Sequence, residues 1–238
     1  MKYIALIAAA GSGSRMGKTE KPKQFLKVNG HRLLHYTIDA FNKHPQIDLI
    51  VVVTNPEYTN EVLNIVEKNH FDKVKYIVQG GKTRQESVFN GLKILKENDT
   101  ADDDVVLIHD AARPLVSQEI ISKNIEASKK YAAVETAIKV TDTIVQSLNE
   151  DIVNNVPDRQ TLYQAQTPQT FWFGLIYQAH EMAKDDPIAT DDAQLIHKYL
   201  NRNVHIVEGE KKNFKVTTME DYEYMKKLFV VIPENNEQ

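Results

Sequence analysis

The sequence predicts an α/β fold built on a mostly parallel central sheet, and two observations carry this prediction. Strand-like apolar runs alternate with amphipathic helical patterns over residues 1–140, as is typical of parallel βαβ units. Apolar residues make up 42% and charged residues 26% of the 238 residues, values that are typical of a globular protein. We therefore expect a sheet that is covered by helices on both faces.

The predicted elements follow one another in order along this first region. Apolar runs predict strands at 3–9, 49–54, 74–79 and 105–109, and helical periodicity predicts helices at 32–43, 57–69, 84–97 and 118–130. Ser117 stands directly before the last of these helices, where its hydroxyl can cap a free backbone N–H.

From residue 132 onward the pattern changes to short β-rich runs, namely AAVETAIKV, DTIVQ, DIVNNV and LYQAQT. The polar SLNED separates two of these runs as a hairpin turn would, so we expect an antiparallel β-arm at about 132–167. No linker or repeat marks a boundary, and we expect one domain over 1–238. The remaining predictions are helices at 173–183, 191–199 and 219–228, a strand at 204–207 and a frayed polar tail at 233–238.

Composition excludes several classes of partner and site. The net charge of −4 would repel a polyanion, so we expect no nucleic-acid partner. We find no apolar stretch long enough to span a membrane and no signal cleavage site, and we expect a cytoplasmic protein without a membrane partner. Because cysteine is absent, disulfides and thiolate metal sites are excluded, and any metal must bind to oxygen or imidazole ligands.

A glycine-rich loop, AAGSGSRMG at 9–17, follows the first predicted strand. Glycines at that point allow backbone N–H groups to approach phosphate oxygens closely. Arg15 lies within the loop, and Lys23 follows in the segment 22–25, which has too many breaks for a helix and can bring this lysine back over a bound triphosphate. A tight structural turn and a solvated surface lysine are the alternative interpretations.

Two familiar phosphate-binding loops are disfavoured by spacing. A P-loop requires G-x-x-x-x-G-K-[ST], which the chain lacks. A dinucleotide-binding loop requires G-x-G-x-x-G, and here the third glycine comes one position late, at Gly17. That class also expects an acid at the end of the second strand, where this chain has Val53-Thr54-Asn55.

Two more candidate loops follow later strands. Gly80 and Gly81 permit close backbone contact with a ligand, and Ser87 can bond a base edge, although a plain strand-to-helix turn is an equal alternative. After the fourth strand, Asp110 is a candidate ligand for Mg²⁺ and Arg113 for phosphate, with a surface ion pair as the alternative. Three such loops at one sheet edge predict a nucleotide site.

With these residues assembled, the chain resembles the sugar-phosphate and polyol-phosphate nucleotidyltransferases. More narrowly, it resembles the 2-C-methyl-D-erythritol 4-phosphate cytidylyltransferase family of the non-mevalonate isoprenoid pathway. The resemblance covers nearly the whole chain in order. Its motifs are AAGSGSRM (9–16), PKQF (22–25), GG (80–81), Arg84 with Ser87, DAARP (110–114), Asp142-Thr143, Asp158-Arg159, QTPQ (166–169), TDDA (190–193) and NFKVT (213–217).

The resemblance implies a Rossmann-like nucleotidyltransferase fold with a mostly parallel central sheet and a protruding β-arm that joins a homodimer. It also implies the substrates, CTP and a polyol phosphate, and the roles of individual residues. Catalytic residues would be Arg15, Lys23 and Lys215. The CTP site would contain Ala9, Ala10, Gly11, Gly13, Gly80, Gly81, Ser87, Asp110, Ala111 and Ala112. The acceptor would be held by Arg113, Thr143, Arg159 and Thr167, with Thr143 and Arg159 coming from the partner's arm.

The sequence predicts the acceptor substrate less specifically than the nucleotide substrate. Tyr163 stands where the family often has tryptophan, and His197 where an acid is expected. The surroundings of Tyr163 and of 142–145 also resemble the sister family, ribitol-5-phosphate cytidylyltransferase of teichoic-acid synthesis. The alanines of DAARP and the TDDA motif favour methylerythritol phosphate as the acceptor.

Two other classes of function are kept as alternatives. An NAD-dependent oxidoreductase is disfavoured by the loop spacing above. A non-catalytic nucleotide-sensing module would use the same three loops. The absence of H-E-x-x-H and G-x-S-x-G argues against a zinc hydrolase and a serine hydrolase.

Overall fold

The computed structural model describes residues 1–11, 21–186 and 191–231, and the side chains among these up to residue 229. In these residues a seven-stranded sheet is flanked by seven α-helices. The strands are β1 (Tyr3–Ala9), β4 (Leu49–Thr54), β5 (Val74–Gln79), β6 (Val105–Asp110), β7 (Ala133–Lys139), β8 (Tyr163–Trp172) and β9 (His205–Glu208), and a separate hairpin contains β2 (Lys27–Val28) and β3 (His31–Arg32). The helices are α1 (Leu33–Lys43), α2 (Thr59–Lys68), α3 (Arg84–Glu97), α4 (Gln118–Ser128), α5 (Phe173–Met182), α6 (Asp192–Leu200) and α7 (Met219–Val231).

The sheet has the order β5-β4-β1-β6-β8-β7-β9. Strands β5, β4, β1 and β6 are parallel, whereas β8 runs antiparallel to both β6 and β7. The chain builds outward from β1 to β4 and β5, and then returns to place β6 on the other side of β1. This reversal is the point at which open α/β sheets bind ligands, at the carboxyl ends of the strands.

Helices cover both faces of the sheet, as predicted from the sequence. Alternate strand residues point to opposite faces, so Ile7 and Val52 pack with α1, α2 and α4, while Leu6 and Val53 pack with α3, α5 and α6. The central strands β1 and β4 are apolar along almost their whole length because both of their faces are buried.

The structure confirms most predicted elements and shifts their ends by a few residues. Ser117 caps α4, because its hydroxyl oxygen accepts a hydrogen bond from the N–H of Ile120 at 3.1 Å. Segment 22–25 contains a short 3-10 turn at Lys23–Phe25. The tail 233–238 lies outside the described residues.

The region of the predicted β-arm has two parts. Its outer runs are β7 and β8, which are strands of the main sheet, and the part that leaves the sheet is 140–162, here called the arm segment. Within it the predicted strands DTIVQ and DIVNNV are wrong, since only Gln146 and Asn155 form a β-bridge. That bridge flanks the predicted turn SLNED. An isolated hairpin has no sheet to extend its pairing, which explains the missing strands.

In the described residues, no helix combines the length and the apolar character that a membrane span requires.

Candidate active site

The three predicted loops meet at the carboxyl edge of the sheet. Ala9, at the end of β1, pairs with Thr54 at the end of β4, and Ala8 pairs with Asp110 at the end of β6. The loop after β5 joins this group because the N–H of Gly80 donates to the carbonyl of Thr54 at 2.8 Å. The parallel register thus brings all three loops to one crevice.

The first loop is anchored by a buried glutamine. Gln24 Nε2 donates to the carbonyl oxygens of Ala9 at 2.6 Å and Gly11 at 2.9 Å. Ala10 lies between these two residues, and half-buried Lys23 precedes the glutamine in the 3-10 turn. Lys23 is therefore held close to the end of β1. The predicted site residues Gly13 and Arg15 lie outside the described residues.

The second loop packs directly against the first. A Cβ atom at Gly80 would collide with Ala10, and one at Gly81 would collide with Glu86, so both positions require glycine. Ser87 Oγ accepts from the N–H of Gly81 at 3.0 Å and donates to the carbonyl of Thr83 at 2.8 Å. The Ser87 proton is thus used within the loop, and this serine shapes the glycine turn.

The third loop places Asp110 between two cations. Its carboxylate contacts Arg84 Nε at 3.2 Å and Lys215 Nζ at 2.7 Å. Burial on its own would raise the pKa of Asp110, but Arg84, followed by Lys215 and Arg113, more than offsets it and holds that pKa far below its usual value. Asp110 is therefore an anion that fixes Lys215 at the edge of the crevice.

A second buried acid extends this arrangement inward. Arg84 also pairs through Nη1 with Asp192 Oδ2 at 2.8 Å, and Asp192 Oδ1 accepts from His180 Nε2 at 3.1 Å. Burial would lower the pKa of Arg84, but Asp192 and then Asp110 raise it instead. We call the five residues Lys215, Asp110, Arg84, Asp192 and His180 the Asp110 charge chain.

The rest of the third loop is tied to β1 and to the segment before α7. The N–H of Ala111 donates to the carbonyl of Ala8 at 3.1 Å, and the N–H of Val216 donates to the carbonyl of Ala112 at 2.8 Å. Arg113 donates to the carbonyl oxygens of Asn213 at 2.8 Å and Ala165 at 3.3 Å. The guanidinium of Arg113 therefore bridges β8 and the segment that carries Lys215.

The predicted acceptor residues do not all come together. Thr167 is buried on β8, where its Oγ1 accepts from the N–H of Asp110 at 3.1 Å. Thr143 and Arg159 lie exposed in the arm segment. Arg159 donates to the carbonyl of Thr141 at 3.3 Å. Across the described ranges, neither Thr143 nor Arg159 forms an ion pair or hydrogen bond with the three loops.

Asp110 is the predicted metal ligand, and it stands without a cluster of further ligands in the described residues. The described part of the chain contains no group of three acidic or histidine side chains arranged around one point. Magnesium often binds through one carboxylate together with substrate phosphates. Asp110 therefore fits an ion that arrives with a triphosphate, and the described residues form no cage for a free ion.

A cavity of about 510 Å³ lies elsewhere, beside α6, β7 and the residues that directly precede β9. Glu135 and Asp191 line one part of it, and His197 and Arg202 another. It contains none of the predicted site residues. Because none of these residues lines the cavity, we place the candidate active site at the three loops.

The sequence motifs contained Arg84 and Asp192 but gave neither residue a role, and Gln24 and His180 were likewise given none. A signal was present for Arg84, since an arginine at the first position of a helix after a glycine turn lies next to any ligand of that turn. The partnership of Arg84 with Asp192 spans distant parts of the sequence and has no local signal.

Three comparisons relate this chain to known proteins. Residues 3–229 match the family model described as 2-C-methyl-D-erythritol 4-phosphate cytidylyltransferase. The enzyme of that name from Thermosipho melanesiensis is 42% identical over 218 residues, which cover 92% of this chain and 93% of that one. A ribitol-5-phosphate cytidylyltransferase from Vibrio parahaemolyticus is 40% identical over 222 residues, 92% of each chain.

The fold also matches a solved structure. The crystal structure of 4-diphosphocytidyl-2C-methyl-D-erythritol synthase from Anaerococcus prevotii aligns with a TM-score of 0.81 and 34% identity, covering 96% of both chains.

Proposed function

The chain belongs to the 2-C-methyl-D-erythritol 4-phosphate cytidylyltransferase family, and on that premise we propose the reaction that it catalyses. It transfers a cytidylyl group from CTP to 2-C-methyl-D-erythritol 4-phosphate and releases pyrophosphate, a step of isoprenoid precursor synthesis. The observation that carries this proposal is the ion pair of Lys215 with buried Asp110, set beside the tightly packed turn of Gly80 and Gly81 at the sheet edge.

The proposed reaction is an in-line attack by an oxygen of the acceptor phosphate on the α-phosphorus of CTP. The P–O bond to the β-phosphate breaks, and pyrophosphate leaves with that electron pair. A phosphate monoester is already anionic near neutral pH, so the attack needs no strong base. Catalysis then depends on positioning and on cations that offset the developing charge.

The residues of this chain supply such positioning and charge. Lys215 is held 2.7 Å from Asp110, so its ammonium cannot swing freely in solvent. Lys23 is placed near the end of β1 through Gln24. A fixed cation costs little reorganisation when the transition state forms, which supports catalytic roles for both lysines and, by the same motif, for Arg15.

Magnesium is the cofactor we propose, with Asp110 as its protein ligand. When bound, it would offset part of the charge of the triphosphate. Asp110 lies at the edge of the crevice, and its strongly lowered pKa keeps it ionised.

We further propose a homodimer that is joined by the arm segment. Its apolar side chains are unusually exposed: 80% for Leu148, 59% for Ile152, 56% for Val153 and 55% for Val156. A hairpin with so much exposed apolar surface is expected to pack against a partner, and a second copy of the chain is the simplest one. In this arrangement Thr143 and Arg159 reach the partner's acceptor site. A cytoplasmic location remains a prediction from the sequence.

Ribitol 5-phosphate is the second candidate acceptor. The relative with that activity in its name is 40% identical, against 42% for the methylerythritol enzyme. Tyr163, whose surroundings resemble the sister family, lies at the start of β8 and is 42% exposed. Identity alone therefore separates the two acceptors only weakly.

Pyrophosphate release tests the proposal directly. The protein is incubated with Mg²⁺, one of the four nucleoside triphosphates, and either acceptor or none. We expect pyrophosphate to be released with CTP and 2-C-methyl-D-erythritol 4-phosphate. This release should stop when EDTA removes the metal.

Each component has its own contrary result. Faster turnover with ATP or GTP would contradict CTP as the substrate. Faster turnover with ribitol 5-phosphate would assign the chain to the sister activity. Full turnover in EDTA would contradict the metal.

A further inference from the structure

His109 is completely buried at the end of β6, directly before Asp110. Its Nδ1 lies 2.9 Å from Thr167 Oγ1, and its Nε2 lies 3.1 Å from the carbonyl oxygen of Arg113. The imidazole thus connects β8 to the turn that follows β6. This histidine has no place in the reaction proposed above.

The hydrogen-bond partners determine which ring nitrogen carries the proton. A carbonyl oxygen can only accept, so Nε2 of His109 must donate to Arg113. A charged imidazolium is disfavoured because the ring is fully removed from water, and neither of its hydrogen-bond partners among the described residues is a carboxylate. The ring therefore has one proton, on Nε2, and Nδ1 is an acceptor.

Thr167 completes the order of donors. Its Oγ1 accepts from the N–H of Asp110 at 3.1 Å, because a backbone amide can only donate. The single hydroxyl proton of Thr167 then points to Nδ1 of His109. One continuous chain of hydrogen bonds runs from Asp110 through Thr167 and His109 to Arg113, and no proton in it is left for another acceptor.

This chain closes around the residues that the proposed reaction needs. The N–H of Arg113 donates to the carbonyl of Asp110 at 3.0 Å, so the backbone turn is fixed at both ends. Asn213 Nδ2 donates to the carbonyl of Thr167 at 2.8 Å, and the backbone carbonyl of Asn213 accepts from the guanidinium of Arg113. Asn213 stands two residues before Lys215, which links the same network to the catalytic lysine.

We propose that His109, as the neutral Nε2–H tautomer, is a positioning residue that orients Thr167 and fixes the turn carrying Asp110 and Arg113. Thr167 in consequence can take part in acceptor binding only by accepting a hydrogen bond. The kinetic consequences of this proposal rest on the proposed function, whereas the tautomer does not.

Nitrogen NMR of the histidine rings tests the tautomer in the wild-type protein, with His109→Gln used to assign the signal. We expect Nε2 of His109 to show a protonated nitrogen and Nδ1 an unprotonated one at pH 7.5. The opposite pattern, or two protonated nitrogens, would overturn the proposal. A wild-type protein without cytidylyl transfer would contradict the proposed function and would leave this result unchanged.

Substitution of Thr167 tests the positioning role. Thr167→Val keeps the shape but removes the hydroxyl, leaving the Asp110 N–H and His109 Nδ1 unpaired, and kcat should fall at least about 10-fold. Thr167→Ser restores the hydroxyl and should recover turnover to within about threefold of wild type.

Thr170→Val is the matched control, since Thr170 lies on the same strand, is fully buried, and donates to Asn124 at 2.9 Å away from the loops. It should lower the melting temperature as Thr167→Val does and keep wild-type kcat. Wild-type kcat in Thr167→Val, or an equal loss in Thr170→Val, would overturn the positioning role.

Discussion

The Asp110 charge chain and the arm segment carry residues of the same predicted site, yet they are built in opposite ways. Asp192 and His180 are each only 1% exposed, and the buried carboxylates are paired with cations from distant parts of the chain. In the arm segment, Thr143 and Arg159 are exposed, and one β-bridge holds the local hairpin.

This difference indicates which part of the site one chain can organise by itself. The charges that we propose for the triphosphate site are fixed by ion pairing within one chain, as electrostatic catalysis requires. The residues of the arm segment that we propose for acceptor binding have no such ion pairs among the described residues. Their exposed apolar neighbours suggest that a second copy supplies it.

The largest expected effect is on turnover when a fixed cation is removed. Lys215→Ala should lower kcat about 100- to 1,000-fold, the scale for loss of one preorganised contact to the transition state. Lys212→Ala is the control, because Lys212 lies in the same segment but is 61% exposed and pairs with Glu210 on the surface. Steady-state pyrophosphate release checks both variants, and an unchanged kcat for Lys215→Ala would mean that this lysine is only structural.

The next effect is on stability within the Asp110 charge chain. Asp192→Asn keeps the size of the side chain but leaves Arg84 short of a buried partner, at a cost of about 3 kcal/mol. Asp191→Asn should cost almost nothing, since Asp191 caps α6 by accepting from the N–H of Gln194 and asparagine caps equally well. Urea unfolding measures the two neighbours side by side, and equal losses would argue against a stabilising buried charge chain.

A smaller and more selective effect is expected from the arm segment. Arg159→Ala should lower kcat/KM for the acceptor about 10- to 100-fold, because one charged contact to phosphate is lost. The KM for CTP and the melting temperature should change little, since Arg159 is exposed and away from the three loops. Varying each substrate separately distinguishes the two cases, and an equal rise of both KM values would contradict an acceptor-specific role.

The smallest expected effect concerns Glu135, which lies on β7 and has no proposed role in the reaction. Its carboxylate accepts a hydrogen bond from Gln169 Nε2 at 2.8 Å. Burial, followed by the charge of Asp191, raises the pKa of Glu135 from 4.5 to about 7. Between these pH values the folded state keeps a proton that the unfolded state loses, so stability falls as the pH rises.

Glu135→Gln should remove this penalty. The gain in unfolding free energy over wild type should be larger at pH 8 than at pH 4.5 by roughly 1 kcal/mol, after allowance for partial exposure. Melting curves across this pH range provide the measurement. Glu126→Gln, at an exposed helix position, serves as the control. A gain that is independent of pH would contradict the raised pKa of Glu135.

The α/β core could be predicted from the sequence because its signals are local. The strand Leu49–Thr54 and the helix Arg84–Glu97 were predicted with the same ends that the structure shows, since apolar runs and helical periodicity depend on neighbouring residues. The prediction of strands in the arm segment was wrong because β-pairing needs a partner that the local pattern does not reveal.

The meeting of the three loops could be predicted from the sequence, whereas the roles of their residues stay predictions from the resemblance. Glycines at strand ends located the crevice, since their conformation and close packing are properties of single positions. The pairing of Arg84 with Asp192 and the contact of His109 with Thr167 were missed. Both join residues that are far apart in the chain, and only the packed structure brings them together.

The measurement that tests the central claim most directly is the activity of defined mixed dimers. One chain carries Lys215→Ala and the other Arg159→Ala, each with its own affinity tag, and dimers holding both tags are purified. If the arm segment of one chain completes the site of the other, one of the two sites is intact. Activity should return to about half that of wild type.

The reciprocal dimer pairs a wild-type chain with a chain that carries both substitutions. Under the shared-site account neither of its sites is intact, and it should be nearly inactive. If instead the first dimer stays as inactive as its parents and the reciprocal dimer retains half the activity, Arg159 serves its own chain and the account is wrong.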